Sequence, residues 1–444
     1  MSTKVVTGTK PPKDTIRLFT TDRPDTPVPG KQRIQYLDIL RGIAILFIFI
    51  ANIRYLSGEY FIADEVRANL GAAFADHILQ IIAFFLVDGK FYSVFSILFG
   101  IGFAVQYQRM ANNDKLFVPF FRKRMLGLLL IGSVHLFLIW LGDILTLYAL
   151  TGFLLILFRN FSDKRLLIWS AILLLMPVVH WLIMFLTDSF YPGILIRRFN
   201  VLASQAISGN AAVQSENGFN FLKYLSISNL QTLVEINLVM PLLRLAMILL
   251  EGRIFKVLAL FLLGVYAGRQ IIEHNLLSNT ARLKKIILWG LVIGIPMNLL
   301  RTWVEFSNLE GTFRQFAEYM LNALSLAPMA VAYCAIVALA LTRPTVSLNW
   351  FAAVGRTALS NYMFQTVICI FIFYEVGLGI GPAIGYSSAI LIAILIFGWQ
   401  IVFSTIWLWY FRFGPVEWIW RQITYGKLIN NRQTSSITSL RPVQ

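Results

Sequence analysis

Charge is scarce in this sequence: 14% of its 444 residues are Asp, Glu, Lys or Arg, against 57% that are hydrophobic. Soluble domains carry about a quarter charged residues, so a water-soluble globule is excluded. Cysteine is nearly absent. Cys334 and Cys369 both lie inside apolar blocks, which leaves no disulfide framework and no thiolate metal site; no metal is expected, and the two thiols read as packing residues. There is no HExxH, nucleophile elbow, Walker loop, or GxGxxG between a strand and a helix. Residues 1–32 lack the apolar stretch and small-residue cleavage site of a signal peptide. They are polar and hold Pro11, Pro12, Pro24, Pro27 and Pro29, the composition of a disordered cytoplasmic tail. A second tail is expected at 427–444.

What is present is a series of apolar blocks, each close to the ~20 residues that cross a ~30 Å hydrocarbon layer. Backbone groups have no water partner there, so each block closes its own hydrogen bonds as a helix. The expected fold is all-α and polytopic, with about ten transmembrane helices at 37–56, 77–107, 125–141, 144–158, 166–186, 251–268, 286–304, 319–341, 357–376 and 388–410, inside a transmembrane domain spanning 33–426. The net charge of +16 is scattered in short clusters between blocks rather than along one stripe, which argues against a nucleic-acid partner and for the bilayer. Sorting the connections alternately puts 27 of the 38 Lys and Arg residues on one side, while acidic residues divide far more evenly. Excess Lys and Arg marks the cytoplasm, so both termini are expected there.

Two stretches resist a plain helix count. The block 77–107 is too long for one straight span and is interrupted by Asp88, Gly89 and Lys90, so one broken crossing is expected, irregular over 85–92. Segment 187–250 reads as an outer loop followed by an interfacial or re-entrant helix around Leu238–Leu250, with Pro241 and Arg244 in it. The pairs Gly264/Gly268 and Gly290/Gly294 have the spacing of closely packed membrane helices. A homodimer is compatible with that spacing but not required by it.

Ionisable groups inside a span cost about 2.5–3.5 kcal/mol each on insertion scales, so each needs a reason. Asp38 and Arg41, three apart at the start of the first span, form either an anchor with its own counter-ion or an anion site. Asn52 and Arg54 fall near the outer end of that helix. His135 lies ten residues into the third span, about 15 Å deep at 1.5 Å per residue. It is the leading candidate for a general base, with a neutral imidazole hydrogen-bonded between helices as the alternative. Asp143 falls about 12 Å further along a continuous helix, out of reach of His135 unless the chain bends sharply at Gly142. At a break between half-helices Asp88 and Lys90 would line a polar cavity. Asn361 and Gln365 share a helix face and suit either a ligand or an interhelical bond. Arg356 begins that helix at its cytoplasmic end, and His180, after Pro177, reads as kink packing.

The stretches YLDILRGIAIL (36–46), GKFYSVFSILFGIGFA (89–104), HLFLIWLGDILTLYA (135–149), GRTALSNYMFQ (355–365) and FRFGPVEWIWR (411–421) resemble, in order, the YeiB-like family of bacterial membrane proteins, long described as a domain of unknown function. That family is similar to the transmembrane acyltransferases, among them the lysosomal enzyme that acetylates heparan glucosamine from cytosolic acetyl-CoA. The resemblance implies a bacterial inner-membrane protein using acyl-CoA as donor, with an acceptor arriving from the lipid or the outer side. For such a reaction the catalytic candidates are the ionisable groups that the spans themselves present, His135, Asp143 and Asp88. Substrate would be held by Asp38, Arg41, Asn52, Lys90, Arg122, Arg124, Arg356, Asn361 and Gln365. Relatives of the lysosomal enzyme carry an Asn near the end of the first span and a His eleven residues later. Here Asn52 matches, but position 63 is Ala, so His135 or His77 takes that role or the chemistry has been lost. A carrier for an amphiphile and a non-catalytic scaffold are the other readings.

Overall fold

Where the chain is apolar it is helical, as closing backbone hydrogen bonds in hydrocarbon requires. The computed structural model describes residues 34–63, 66–67, 70, 72–206, 214–215, 218–343 and 345–433. In order these form α1 (Gln35–Leu56), α2 (Ala73–Leu86), α3 (Lys90–Arg109), α4 (Asp114–Val134), α5 (Leu145–Leu155), α6 (Asp163–Leu186), α7 (Pro192–Ala206), α8 (Phe221–Leu225) and α9 (Leu230–Leu250). The second half holds α10 (Arg253–His274), α11 (Thr280–Phe306), α12 (Gly311–Leu341), α13 (Asn349–Arg356), α14 (Ala358–Phe373), α15 (Tyr386–Tyr410) and α16 (Pro415–Tyr425). Among the described residues the only strands are β1 (Gln214–Ser215) and β2 (Gly218–Phe219), two residues each, so the fold is all-α. Eight segments are long and apolar enough to cross a membrane, with α2 and α3 counted together, and α5 with its 3-10 extension to Phe158 and α14 are shorter apolar helices. The expected tail 1–32 and residues 434–444 of the second lie outside the described residues. Residues 427–433 fold back on the bundle, the Arg412 N–H donating to Asn431 O at 2.7 Å.

One end of the bundle collects the Lys- and Arg-rich connections. Both ends of the Arg159 fork donate to Asp114 at 2.9 Å, and Tyr107 adds a third bond. These bonds hold the Asp114 carboxyl down at about 2. Arg269 donates to Phe161 O and Asp163, the Trp420 indole to Arg124 O, and Gln35 to Asn349. The segments expected on the cytoplasmic side therefore meet at a single end, as an even number of crossings demands.

The broken block is as the Asp-Gly-Lys interruption predicts, but narrower: α2 runs to Leu86 and α3 starts at Lys90. Gly89 sits at φ 77°, a left-handed conformation only glycine adopts without strain. Behind the break α3 packs along α10 through glycines. A Cβ on Gly100 would lie 2.1 Å from Phe261 O, one on Gly264 2.2 Å from Ile97 O, and Gly268 abuts Ile101 and Ala104. Residue numbers rise together on both helices, so they run parallel, and the same offset carried back sets Arg253 level with Gly89. The pair Gly290/Gly294 packs on Pro328 and Met329 of α12. Both small-residue pairs thus mediate contacts within the chain.

In segment 187–250, expected as an outer loop followed by an interfacial or re-entrant helix, α7 occupies a stretch near the start and α9 runs for a full 21 residues. Asn229 caps α9 by accepting from the N–H groups of Gln231 and Thr232. Although α9 has the length to cross, its bonds run over the turn between α4 and α5: Asn237 donates to Leu138 O and Ile139 O, and Arg244 to Asp143 O. Gly252, just past its end, touches Pro177, beyond the midpoint of α6. From Arg253, α10 then needs its 22 residues to reach the basic end. α9 therefore stays in the half of the bundle away from that end.

Candidate functional site

The helix α4 ends in a wider π-turn, His135–Ile139, after which Trp140 is extended (φ −158°, ψ 135°). A Cβ on Gly142 would fall 2.1 Å from the Trp140 ring, so glycine is what lets the chain fold back beneath the indole. The sharp bend that Gly142 permits is therefore made, and it brings Asp143 within reach: His135 Nδ1 is 3.1 Å from Asp143 Oδ1. Asp143 is itself fixed as the cap of α5, Oδ1 accepting from Leu145 N–H at 3.1 Å and Oδ2 from Thr146 N–H at 2.8 Å. A carboxylate accepts and does not donate, so with Asp143 ionised the imidazole proton sits on Nδ1. Nε2 then faces the Thr366 hydroxyl, 3.2 Å away, as an acceptor beside Tyr362 O, to which the same hydroxyl donates at 3.3 Å.

This pair is wholly enclosed, His135 and Asp143 being fully buried. The turn that carries it is pinned from two sides. Tyr362 donates to Gly142 O at 3.2 Å from α14, and the Arg244 guanidinium reaches Asp143 O at 2.7 and 3.1 Å from α9. Sequence reasoning assigned no role to Thr366 or Tyr362, which carry no local signal. Arg244 did carry one, since an arginine in an apolar run needs an interior partner.

The other candidates divide into two groups. At the basic end, Asp38 and Arg41 pair at 2.9 Å, Arg122 is exposed, Arg124 stacks on Trp420 at 3.9 Å, and Arg356 points at Arg412 O, 3.5 Å away. None of them touches His135. Nearby, Glu417 closes the start of α14 by accepting from the N–H groups of Leu359 and Ser360; burial pushes its carboxyl up against those bonds. Asn361 and Gln365 bind neighbouring helix rather than open space: Asn361 donates to Thr357 and Ser404, and Gln365 to Gln400, which donates back to Asn361 O.

At the opposite end, Asn52 is half-buried, and Arg54 donates to Glu59 at 2.8 Å. The carboxylate of Glu59 is fully buried and also accepts from Arg67 and Gln80. Asp88 pairs with Arg301 at 2.6 Å while staying partly exposed, and the buried Lys90 donates to Phe84 O at 2.7 Å. His77 is exposed and edges onto Phe306. His180 meets Tyr191. Two apolar grooves of about 580 and 690 Å³ lie along α11, where Leu288, Trp289 and Pro296 line them; neither includes His135.

Residues 267–427 match a family described as "Protein of unknown function (DUF418)". The uncharacterized protein YxaH of Bacillus subtilis strain 168 is 34% identical over 417 residues, which cover 90% of this chain and 96% of the relative. The uncharacterized protein YeiB of Escherichia coli K12 is 29% identical over 413 residues, with 87% and 95% covered. No solved structure matches.

Proposed function

Because the chain belongs to the DUF418 family with YxaH and YeiB, we propose that it is a bacterial inner-membrane acyltransferase that takes its acyl group from cytosolic acyl-CoA, with His135 as general base. The observation that carries this reading is the line Asp143–His135–Thr366. The Thr366 hydroxyl stands at Nε2 where an acceptor hydroxyl would stand during transfer. With Thr366 displaced, Nε2 takes the acceptor proton as the acceptor oxygen bonds to the thioester carbonyl carbon. The C–S bond breaks, and the departing thiolate takes the proton back from the imidazolium, which Asp143 stabilises meanwhile. Arg41, Arg122, Arg124 and Arg356 supply a cationic rim for the CoA phosphates. The pantetheine arm, roughly 15–20 Å long, bridges rim and imidazole.

Calorimetry of acetyl-CoA on the purified protein tests the donor. Wild type binds, and Arg41→Ala weakens binding about ten-fold while flattening its salt dependence. Well-folded protein that binds no acyl-CoA would leave the carrier reading, which the exposure of the Asp88 side chain (39%) favours.

Orientation follows from the Lys and Arg excess. Both native cysteines are buried, so added cysteines report alone. A cysteine at the exposed Ser189 reacts with an impermeant thiol reagent outside intact spheroplasts, and one at Leu428, 93% exposed, does so only after permeabilisation. The opposite pattern inverts the topology.

A further inference from the structure

Of the eight long apolar segments among the described residues, α11 is the one least buried by the rest of the protein, and it carries a groove on each flank. The first, about 580 Å³, runs from Lys284 through Ile287, Leu291 and Ile295 to Pro296, with Leu339 of α12 opposite. The second, about 690 Å³, runs from Lys285 through Gly290 and Ile293 to Met297, with Leu174 and Leu175 of α6 opposite. At 3.6 residues per turn these two sets fall on opposite sides of the helix. The exposed Leu288 and Val292 on one wall and Trp289 on the other make the ridge between them. Each groove starts at a lysine, and its other lining residues are apolar. From 284 to 296, and from 285 to 297, the helix rises about 18 Å, close to the ~15 Å that one leaflet contributes to a ~30 Å hydrocarbon layer.

The two lysines stand at the basic end with Arg282, in the first turn of α11, and Arg343, four residues beyond Leu339. All four cations are exposed and, among the described residues, their side chains have no hydrogen-bond or ion-pair partner. The sequence has no carboxylate between Glu273 and Glu305 or between Glu318 and Glu375. Asp163, at the start of α6, is taken by Arg269 and Gln270, and Glu273, in the last turn of α10, leaves the cations in excess. Nor do Arg282, Lys284 and Lys285 serve their own helix, since positive charge opposes the positive end of its dipole. We infer that α11 is straddled by one anionic diacyl phospholipid of the leaflet at the basic end, with an acyl chain in each groove and the head-group phosphate over Lys284 and Lys285. Two chains of leaflet length match two grooves of that length, and the negative head group matches cations that lack a carboxylate of their own. The inference stands apart from acyl transfer, since neither groove includes His135.

The full chain is reconstituted in phosphatidylcholine vesicles holding rising fractions of phosphatidylglycerol brominated in its acyl chains. Tryptophan quenching is followed, because Trp289 forms a wall of the second groove. Quenching saturates at low fractions of brominated phosphatidylglycerol, whereas brominated phosphatidylcholine quenches only in proportion to its fraction. Trp289→Phe removes the saturating component. Lys284→Gln and Lys285→Gln each weaken the preference about five-fold, and together about 25-fold. Lys123→Gln, which removes an exposed cation of the same end beside Gly426, leaves it unchanged. Brominated lysophosphatidylglycerol, with one chain, binds at least about ten-fold more weakly. All the substituted side chains are exposed, so the variants keep the fold. Equal quenching by the two diacyl lipids, a preference unmoved in the double lysine variant, a single-chain lipid as effective as the diacyl one, or saturation that survives Trp289→Phe overturns the assignment.

Discussion

His135→Ala lowers transfer from labelled acetyl-CoA in proteoliposomes by about 10² to 10⁴, while acetyl-CoA affinity stays within about two-fold. The split follows from geometry. His135 is fully buried beside Thr366, Tyr362 and Trp140, away from the cationic rim, so its loss removes a proton acceptor and no phosphate contact. Asp143→Asn falls as well, for a different reason. An amide in place of the carboxylate offers a donor to Nδ1, forces the proton onto Nε2, and leaves no lone pair for the acceptor. Thr366→Val separates catalysis from architecture. If the hydroxyl only occupies the acceptor's place, the variant retains transfer, whereas a drop equal to that of His135→Ala would make Thr366 part of the reaction. Full activity in His135→Ala removes the imidazole from the chemistry altogether.

The second large effect is on stability. Glu59→Ala costs about 3–5 kcal/mol, the range found when one partner of a buried charge pair is removed. Glu59 receives Arg54, Arg67 and Gln80 at 2.8, 2.9 and 2.7 Å, so its truncation leaves two guanidinium groups facing a lost carboxylate. Unfolding midpoints in dodecyl maltoside measure the effect. In Arg54→Met/Glu59→Ala the loss is smaller than the sum of the single losses, because one unpaired charge goes with the second substitution. A shift no larger than that of a surface substitution would mean water already reaches this cluster.

Helix positions and the grouping of their ends were legible because the hydrocarbon layer imposes one length and one hydrogen-bonding solution on every block. The break at Gly89 was legible because charge on both sides of a glycine breaks the apolar run. The reach of Asp143 was not, since it depends on a π-turn and an extended Trp140 that leave no periodic trace. Nor were the partners of Asn361 and Gln365, because Gln400 and Ser404 sit singly inside the apolar run of α15. The pairing of Glu59 was equally hidden: Arg54 carried a signal as a charge in a span, but Glu59 reads as an ordinary loop residue. Spacing shows which residues share a helix face, and only packing decides what that face meets.

The turn between α4 and α5 also bears on how the chain is made. Its carbonyls at Leu138, Ile139 and Asp143 find donors only on α9, 98 to 101 residues later in sequence. While α6 and α7 emerge from the ribosome, the hairpin waits in the bilayer with its tip unsatisfied, too polar to rest in lipid and too short in α5 to reach the far surface. Enclosure of the buried His–Asp pair is thus completed only after α9 and then α14, which brings Tyr362 and Thr366, have been made. A nascent chain arrested before Leu230 would present that tip to water or to the insertion machinery, and the same hairpin would close once Asn237 and Arg244 arrive.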